Sequence, residues 1–236
     1  MEFEISIRIM VVIKATDITK TYSPDKVPVQ ALRGVSLEIE QGEFTAIVGP
    51  SGSGKTTLLN IIGGLDKPTS GKIEVGGTNI STLSDNQLID FRKDNIGFVF
   101  QSYNLIPVLT AKENVAFVMM LQNASKAARQ QRAMELLTAV GISDKQDKRP
   151  SELSGGQQQR VAVARALATK PSFILADEPT ANLDSTSTAG LLDIMLALNQ
   201  QEKMTFVFST HDQRVIDRAR RVVTLVDGRI DSDVVQ

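Results

Sequence analysis

A glycine-rich segment at residues 49–56 has the composition and spacing of a phosphate-binding loop, G-x-x-x-x-G-K-T. Its glycines let the backbone turn tightly, so that N–H groups point inward at phosphate oxygens, and a helix beginning at Lys55 adds its positive end. We expect Lys55 to meet the terminal phosphates and the Thr56 hydroxyl to ligate Mg²⁺. An apolar strand before the segment and an apolar-faced helix after it favour this interpretation over a plain surface loop. The predicted binding residues are Gly49, Pro50, Ser51, Gly52, Ser53, Gly54, Lys55, Thr56 and Thr57.

Two adjacent carboxylates, Asp177 and Glu178, follow the apolar run at residues 173–176. Neighbouring residues on a strand point to opposite sides, so one carboxylate could hold a metal ion while the other faces an attacking water molecule. Phosphoryl transfer needs both tasks, because its catalysis consists mainly of positioning and charge neutralisation. We therefore assign Asp177 to Mg²⁺ and Glu178 to the general base. A solvated turn is the alternative for such a pair taken alone.

Composition excludes several classes of protein. The 236 residues, 42% of them hydrophobic, can bury a sizeable core. The 26 basic and 27 acidic residues give a net charge of −1, which indicates no nucleic-acid partner. Cysteine is absent, which excludes a disulfide framework and a thiolate metal site. No apolar run approaches the ~18 residues of a spanning helix, and the acidic start is unlike a signal peptide. We therefore expect a soluble, unexported chain whose membrane spans, if it needs any, come from another chain.

The pattern of apolar residues predicts an α/β core interrupted by a helical insert. Residues 3–9 alternate like a strand, or else belong to a non-native extension, since Met10 offers a second start. The pattern turns helical from 102 to about 170. Further strands are predicted at 11–22, 35–48, 72–75, 96–100, 173–176 and 205–209, and helices from the cap Ser125 to the stop Gly141, at 155–169 and near 185–201.

The segment Leu153-Ser154-Gly155-Gly156-Gln157 lies between the phosphate loop and the acidic pair. Ser154 can cap a helix whose first N–H groups, at Gly155 and Gly156, form a second anion site. Continued by Gln158-Gln159-Arg160, the segment resembles the LSGGQ signature of ABC ATPases. One chain would then have two phosphate-binding surfaces but one phosphate loop. A head-to-tail homodimer resolves this, because each signature then faces the ATP of the other subunit.

The resemblance implies roles for four further positions. Tyr22 resembles the aromatic residue that stacks on adenine, with plain packing as the alternative; stacking needs the ring, so Tyr22→Phe should keep ATP binding. Gln101 resembles the glutamine that joins the core to the helical subdomain and reaches toward Mg²⁺ and water. His211, the sole histidine, resembles the switch histidine that contacts the γ-phosphate. Asp184 resembles a residue of the dimer interface. The implied catalytic set is Glu178, His211, Gln101 and Lys55, and the implied metal set is Thr56, Gln101 and Asp177.

The resemblance covers nearly all of residues 11–230 and implies an α/β fold of the P-loop NTPase type. A RecA-like core with an antiparallel β subdomain would comprise residues 1–100 and 160–236. An inserted α-helical subdomain would comprise residues 101–159, and the whole chain, 1–236, would be one nucleotide-binding domain. No essential motif is missing, which favours an active ATPase over a regulatory module that binds nucleotide without turnover.

Residues 100–115 resemble the lipoprotein-releasing, macrolide-exporter and cell-division branch of ABC ATPases. The apolar stretch Leu105–Leu109 would line a groove for a short helix of a separate transmembrane permease subunit, with subdomain core as the alternative. The implied function is ATP hydrolysis that powers lipoprotein release, peptide or antimicrobial export, or mechanotransmission, at the cytoplasmic face of the inner or plasma membrane. The alternative is a soluble ABC ATPase that acts on DNA or ribosomes, but such proteins typically carry a long coiled-coil insert or two cassettes.

Overall fold

A computed structural model describes residues 10–23 and 27–236, so the strand predicted at 3–9 lies outside the described residues. This part of the chain forms two sheets and seven α-helices. The strands are β1 (Val11–Tyr22), β2 (Val29–Glu40), β3 (Phe44–Val48), β4 (Ser70–Val75), β5 (Thr78–Asn79), β6 (Ile96–Val99), β7 (Phe173–Asp177), β8 (Thr205–Ser209), β9 (Arg221–Val226) and β10 (Arg229–Val235). The helices are α1 (Lys55–Ile62), α2 (Asp85–Asn95), α3 (Ala111–Met120), α4 (Lys126–Ala139), α5 (Gly155–Leu167), α6 (Ser185–Glu202) and α7 (Gln213–Ile216).

The larger sheet has the strand order β10-β9-β3-β8-β7-β6, in which every pairing is parallel except that of β10 with β9. Its inner strands are buried on both faces. Phe206 and Phe208 of β8 face an apolar core shared with helices α3 to α6, whereas Val207 faces a second core shared with α1. Burial on both faces explains why these strands are continuous apolar runs.

The smaller sheet is antiparallel and has the order β2-β1-β4-β5. Helix α1 connects the two sheets, because its side chains Leu58, Leu59 and Ile62 are buried in one core with residues of both. The glycine-rich segment leads directly into α1, so both sheets contribute to fixing its position.

Most predicted elements are confirmed, and the α/β class is among them. The strand predicted over 35–48 misses a turn at Gln41-Gly42, which divides it between β2 and β3, whereas the apolar strand predicted before the phosphate loop is confirmed as β3. The hairpin of β9 and β10 was not predicted, although Asp227-Gly228 is a strong signal for such a turn. Helix α5 runs across the boundary predicted between 159 and 160. Within the described residues, no helix combines the length and apolarity needed to span a membrane.

Candidate functional site

Three neighbouring parallel strands end at one edge of the larger sheet with polar residues. The glycine-rich segment follows β3, Asp177 ends β7, and His211 follows β8 by two residues. Ligands of open α/β sheets usually bind beyond this edge. A pocket of about 570 Å³ lies there. Its lining residues are Ala31, Gly49, Pro50, Ser51, Gly52, Gly54, Lys55, Thr56, Thr57, Gln101, Glu178 and His211.

The loop before α1 requires glycine at two positions. Gly49 has a φ of 148°, and a Cβ atom there would lie 2.0 Å from the Leu225 carbonyl oxygen. Gly54 has a φ of 104°, and its Cβ atom would lie 2.5 Å from the Ala31 carbonyl oxygen. Neither site has space for a side chain. The loop therefore follows a path open only to glycine, and it ends at the first turn of α1, where N–H groups have no intrahelical acceptor.

The Lys55 side chain points into this loop. Lys55 is only 9% exposed, and its Nζ donates to the backbone carbonyl oxygens of Gly49 at 2.8 Å and Pro50 at 3.0 Å. An ammonium group has three donor hydrogens, so one remains for an anion in the pocket. Among the described residues that line the pocket, Lys55 is the only lysine or arginine.

Thr56 lines the pocket, and its hydroxyl donates to Oδ1 of Asp177 at 3.2 Å. One hydroxyl and one carboxylate are the kind of oxygen ligands that Mg²⁺ prefers. Mg²⁺ is usually held by one or two carboxylates together with the phosphates of a substrate. The donor set therefore fits Mg²⁺ bound beside a phosphate group.

Glu178 reaches the pocket by a geometry different from the one predicted. Strand β7 ends at Asp177, and Glu178 has a left-handed φ of 45°, so the expectation that strand alternation separates the two carboxylates is wrong. The turn directs Glu178 to the pocket wall, where Oε1 lies 2.8 Å from Nδ1 of His211. The Thr210 hydroxyl donates to Oε2 at 3.4 Å. Left-handed backbone at a residue other than glycine is strained, and such strain is concentrated at functional sites.

Asp212 links the segment that carries Glu178 to the segment that carries His211. It accepts hydrogen bonds from the Thr180 hydroxyl at 2.8 Å and from the Arg214 guanidinium at 2.9 and 2.7 Å. The Arg214 hydrogen bond is the main cause that lowers the pKa of Asp212 to about 2. Because Thr180 lies two residues after Glu178, this contact joins the turn after β7 to the segment after β8.

Gln101 lines the pocket from the segment after β6. The Asn182 side chain donates to its carbonyl oxygen at 3.1 Å. The following residues Tyr103 and Asn104 both have left-handed φ angles, 57° and 51°, and Arg165 of α5 donates to both of their carbonyl oxygens. The Gln101 segment is therefore attached to α5 and to the segment before α6.

The signature residues and Asp184, like Ser53 and Tyr22, are not among the residues that line this pocket. The N-cap and first turn of α5 contain the signature residues Ser154, Gly155, Gly156 and Gln157, and Ser154 is exposed. Ser154 and Gln157 form a capping box: the Gln157 N–H donates to the Ser154 hydroxyl at 3.3 Å, and the Ser154 N–H donates to Oε1 of Gln157 at 3.0 Å. Asp184 caps α6 in a similar way, and hydrogen bonds from Ser187 lower its pKa. The structure thus brings together the phosphate loop, Gln101, Asp177, Glu178 and His211, and separates them from the signature turn and Asp184.

Tyr22 does not line the pocket, but its hydroxyl donates to Asp66 at 2.8 Å. Sequence reasoning missed Asp66, because nothing local indicates a contact between residues 44 positions apart. It also missed Thr210 and Asn182. The available signal was their position in the sequence, since Thr210 directly precedes His211 and Asn182 lies two residues before Asp184.

The residues of the predicted docking stretch 105–109 lie in different surroundings. Leu105 is partly buried against the core of α3 to α6, which favours the subdomain-core alternative for this residue. Ile106 and Leu109 line two separate surface grooves that share Phe117. Val108 is 70% exposed and is therefore accessible to a partner.

Known proteins share these sequence features. Residues 32–181 match the family described as ABC transporter. The chain is 49% identical to an uncharacterized ABC transporter ATP-binding protein of Thermotoga maritima, over 93% of this chain and 94% of that relative. It is 47% identical to the macrolide export ATP-binding/permease protein MacB of Brucella melitensis over 94% of this chain, but it spans only 34% of MacB.

The fold is similar to that of the ATP-binding cassette MJ0796 of Methanocaldococcus jannaschii, solved as a dimer in a post-hydrolysis state bound to ADP and Pi. The TM-score is 0.88 and the identity 43%, with 94% of this chain and 98% of that chain covered. This likeness confirms the P-loop NTPase fold predicted from the sequence.

Proposed function

The chain is an ATPase that belongs to the ABC transporter family, and from this premise we propose that it hydrolyses ATP to drive a separate permease subunit in a membrane. The observation that carries the proposal is the convergence of Lys55, Gln101, Glu178 and His211 on one pocket. Structural packing alone gives no reason for a buried lysine, a strained glutamate and the only histidine of the chain to meet there.

The loop at 49–54 and Lys55 would bind the phosphates of ATP, through backbone N–H groups and the free hydrogen of the ammonium group. Thr56, Asp177 and Gln101 would hold Mg²⁺, which neutralises charge on the phosphate oxygens. Glu178 would accept a proton from the attacking water. His211, at 2.8 Å from Glu178, would hold that carboxylate in place and reach the terminal phosphate.

A head-to-tail homodimer would complete the site. The turn at Ser154–Gln157 has the character of an anion site but lies outside its own chain's pocket, so we propose that it binds the ATP of a second copy. Asp184, exposed at the start of α6, would lie in the same interface. The dimeric cassettes that this chain resembles support this arrangement.

The membrane partner would dock on the helical face beside Val108. Apolar side chains line a groove there, among them Ile106, Phe117 and Leu121. Such a groove fits a short helix of a permease, and a relative with a fused permease supports that kind of partner. The chain would then lie at the cytoplasmic side of the inner or plasma membrane. Affinity purification of the full chain from native membranes should recover an integral membrane protein, whereas recovery of ribosomes or DNA would contradict the proposal.

Glu178→Gln tests the catalytic part of the proposal. Glutamine keeps the size and one acceptor oxygen but cannot take a proton, so phosphate release should fall by about 10²–10⁴-fold while ATP binding persists. Glu202→Gln, an exposed change at the end of α6, is the matched control and should hydrolyse ATP normally. Wild-type turnover in Glu178→Gln would remove Glu178 as the general base.

A further inference from the structure

A contact of three side chains joins the end of β1 to the turn after α1. The Tyr22 hydroxyl donates to Oδ2 of Asp66 at 2.8 Å, and Lys20 Nζ donates to Oδ1 of Asp66 at 2.6 Å. Lys20 Nζ also lies over the Tyr22 ring, 4.9 Å from its centroid. The Lys20 and Asp66 side chains are only 13% and 29% exposed, unlike the adjacent surface pair Lys67 and Asp85, at 56% and 83%.

The carboxylate form of Asp66 is favoured in this contact. Burial alone would raise its pKa, but hydrogen bonds from Lys20, Tyr22 and the Lys67 N–H outweigh that effect and lower it. Hydrogen bonds to an ionised acceptor are about twice as strong as neutral ones. Asp66 is therefore a firm anchor for the tyrosine hydroxyl.

The anchor is itself attached to the helix of the phosphate loop. The N–H groups of Leu65 and Asp66 donate to the Asn60 carbonyl oxygen of α1 at 2.8 and 3.2 Å. The end of β1 also lies beside the pocket, because Thr21 pairs with Gln30 of β2, and Ala31, the next residue of β2, lines the pocket. Tyr22, which follows Thr21 and pairs with Val29, is therefore near the pocket and is attached through Asp66 to the helix that the phosphate loop begins.

We propose that Asp66 and Lys20 are positioning residues that hold the Tyr22 ring ready to stack on the base of the nucleotide. The inference rests on the stacking role that the family resemblance implies for Tyr22. With Lys20 over one face of the ring, the base takes the opposite face. Anchoring the hydroxyl removes freedom that the ring would otherwise lose on binding. The expectation for Tyr22→Phe therefore changes: the sequence alone predicts retained binding, whereas the anchored hydroxyl predicts weaker binding.

A comparison of ADP with inorganic pyrophosphate tests this inference, since both carry phosphates, only ADP has a base, and neither is hydrolysed by an ATPase. Tyr22→Phe and Asp66→Ala should each weaken ADP binding by about two- to tenfold, the range that corresponds to ordering one side chain. Pyrophosphate binding should not change. The double variant should be no weaker than Asp66→Ala alone, because Tyr22→Phe removes only a hydrogen bond that Asp66→Ala already removes. Asp85→Ala, which breaks the adjacent surface pair, is the matched control and should leave both affinities unchanged.

Each other outcome contradicts a defined part of the account. Unchanged ADP affinity in Tyr22→Phe and Asp66→Ala, together with weaker binding in Tyr22→Ala, overturns the positioning role and leaves stacking intact. Unchanged ADP affinity in Tyr22→Ala removes the stacking role itself. An equal loss of pyrophosphate binding would mean that the contact only supports the fold around α1. If Asp66→Ala does not fold, two milder variants decide the question. Tyr22→Phe keeps the aromatic ring, and Lys20→Met keeps a side chain of similar length.

Discussion

The phosphate pocket and the signature turn use similar chemistry in opposite ways. In each, the start of a helix and glycine backbone would bind an anion. The pocket is surrounded by side chains of its own chain, including Lys55, Glu178 and His211. The turn at Ser154–Gln157 is capped only by its own residues and exposes Ser154 at the surface. This difference is the basis of our proposal that one chain binds ATP alone but needs a second copy to complete the site.

Lys55→Ala should have the largest effect, because it removes the only lysine or arginine among the described residues of the pocket lining. Loss of charge-assisted hydrogen bonds to phosphate should weaken ATP binding by about a hundredfold or more. Calorimetry measures this directly, with the exposed Lys67→Ala as the control. Wild-type affinity in Lys55→Ala would mean that the pocket is not the phosphate site.

Ser154→Arg should separate the two regions. The pocket is untouched, so ATP affinity of the isolated chain should persist, while hydrolysis should fall by about tenfold or more because a large cation blocks the second anion site. Ser151→Arg, at another exposed serine just before the signature, is the control and should hydrolyse ATP normally. Equal loss of binding and hydrolysis in Ser154→Arg would place the turn in the pocket of its own chain.

The phosphate loop and the signature turn were predictable from the sequence, because each is a contiguous motif whose backbone conformation depends mainly on its own residues. The pocket wall was less predictable. Glu178 was expected on a strand, but its left-handed backbone depends on the packing of the turn after β7. Tyr22 and Asp66 are 44 positions apart, and they meet because β1 pairs with β4, the strand that follows the turn after α1. Contacts of this kind depend on the arrangement of the two sheets, which local patterns do not encode.

Val108→Asp should leave both regions intact in the isolated chain but lower ATPase activity of the assembled membrane complex by roughly a few-fold to tenfold, since burying a charge under a docked partner is unfavourable. Val108 is a cleaner site than Leu109, which is partly buried against α3. Val235→Asp, on the exposed end of β10, is the control. Unfolding of Val108→Asp would return this residue to the subdomain core.

Acid should weaken the scaffold of the pocket at Asp212, and this is the smallest expected effect. The folded pKa of Asp212, about 2, lies below that of an unfolded aspartate, so its contacts stabilise the fold above the unfolded pKa. That stability is lost as the pH falls through the folded pKa. The difference in melting temperature between wild type and Asp212→Asn should be constant above about pH 5 and shrink toward pH 2. A difference that persists unchanged at pH 2 would contradict this role.

Cross-linking tests the central claim most directly, and the absence of native cysteine makes it specific. Two single variants in a Glu178→Gln background, Ser51→Cys in the phosphate loop and Ser154→Cys in the signature turn, are mixed and treated with a short thiol-specific cross-linker. A head-to-tail dimer predicts that ATP produces cross-linked pairs in the mixture and far fewer in either variant alone. Efficient pairs within the Ser154→Cys preparation alone, or the same yield without ATP, would contradict an ATP site shared between the phosphate loop of one chain and the signature turn of the other.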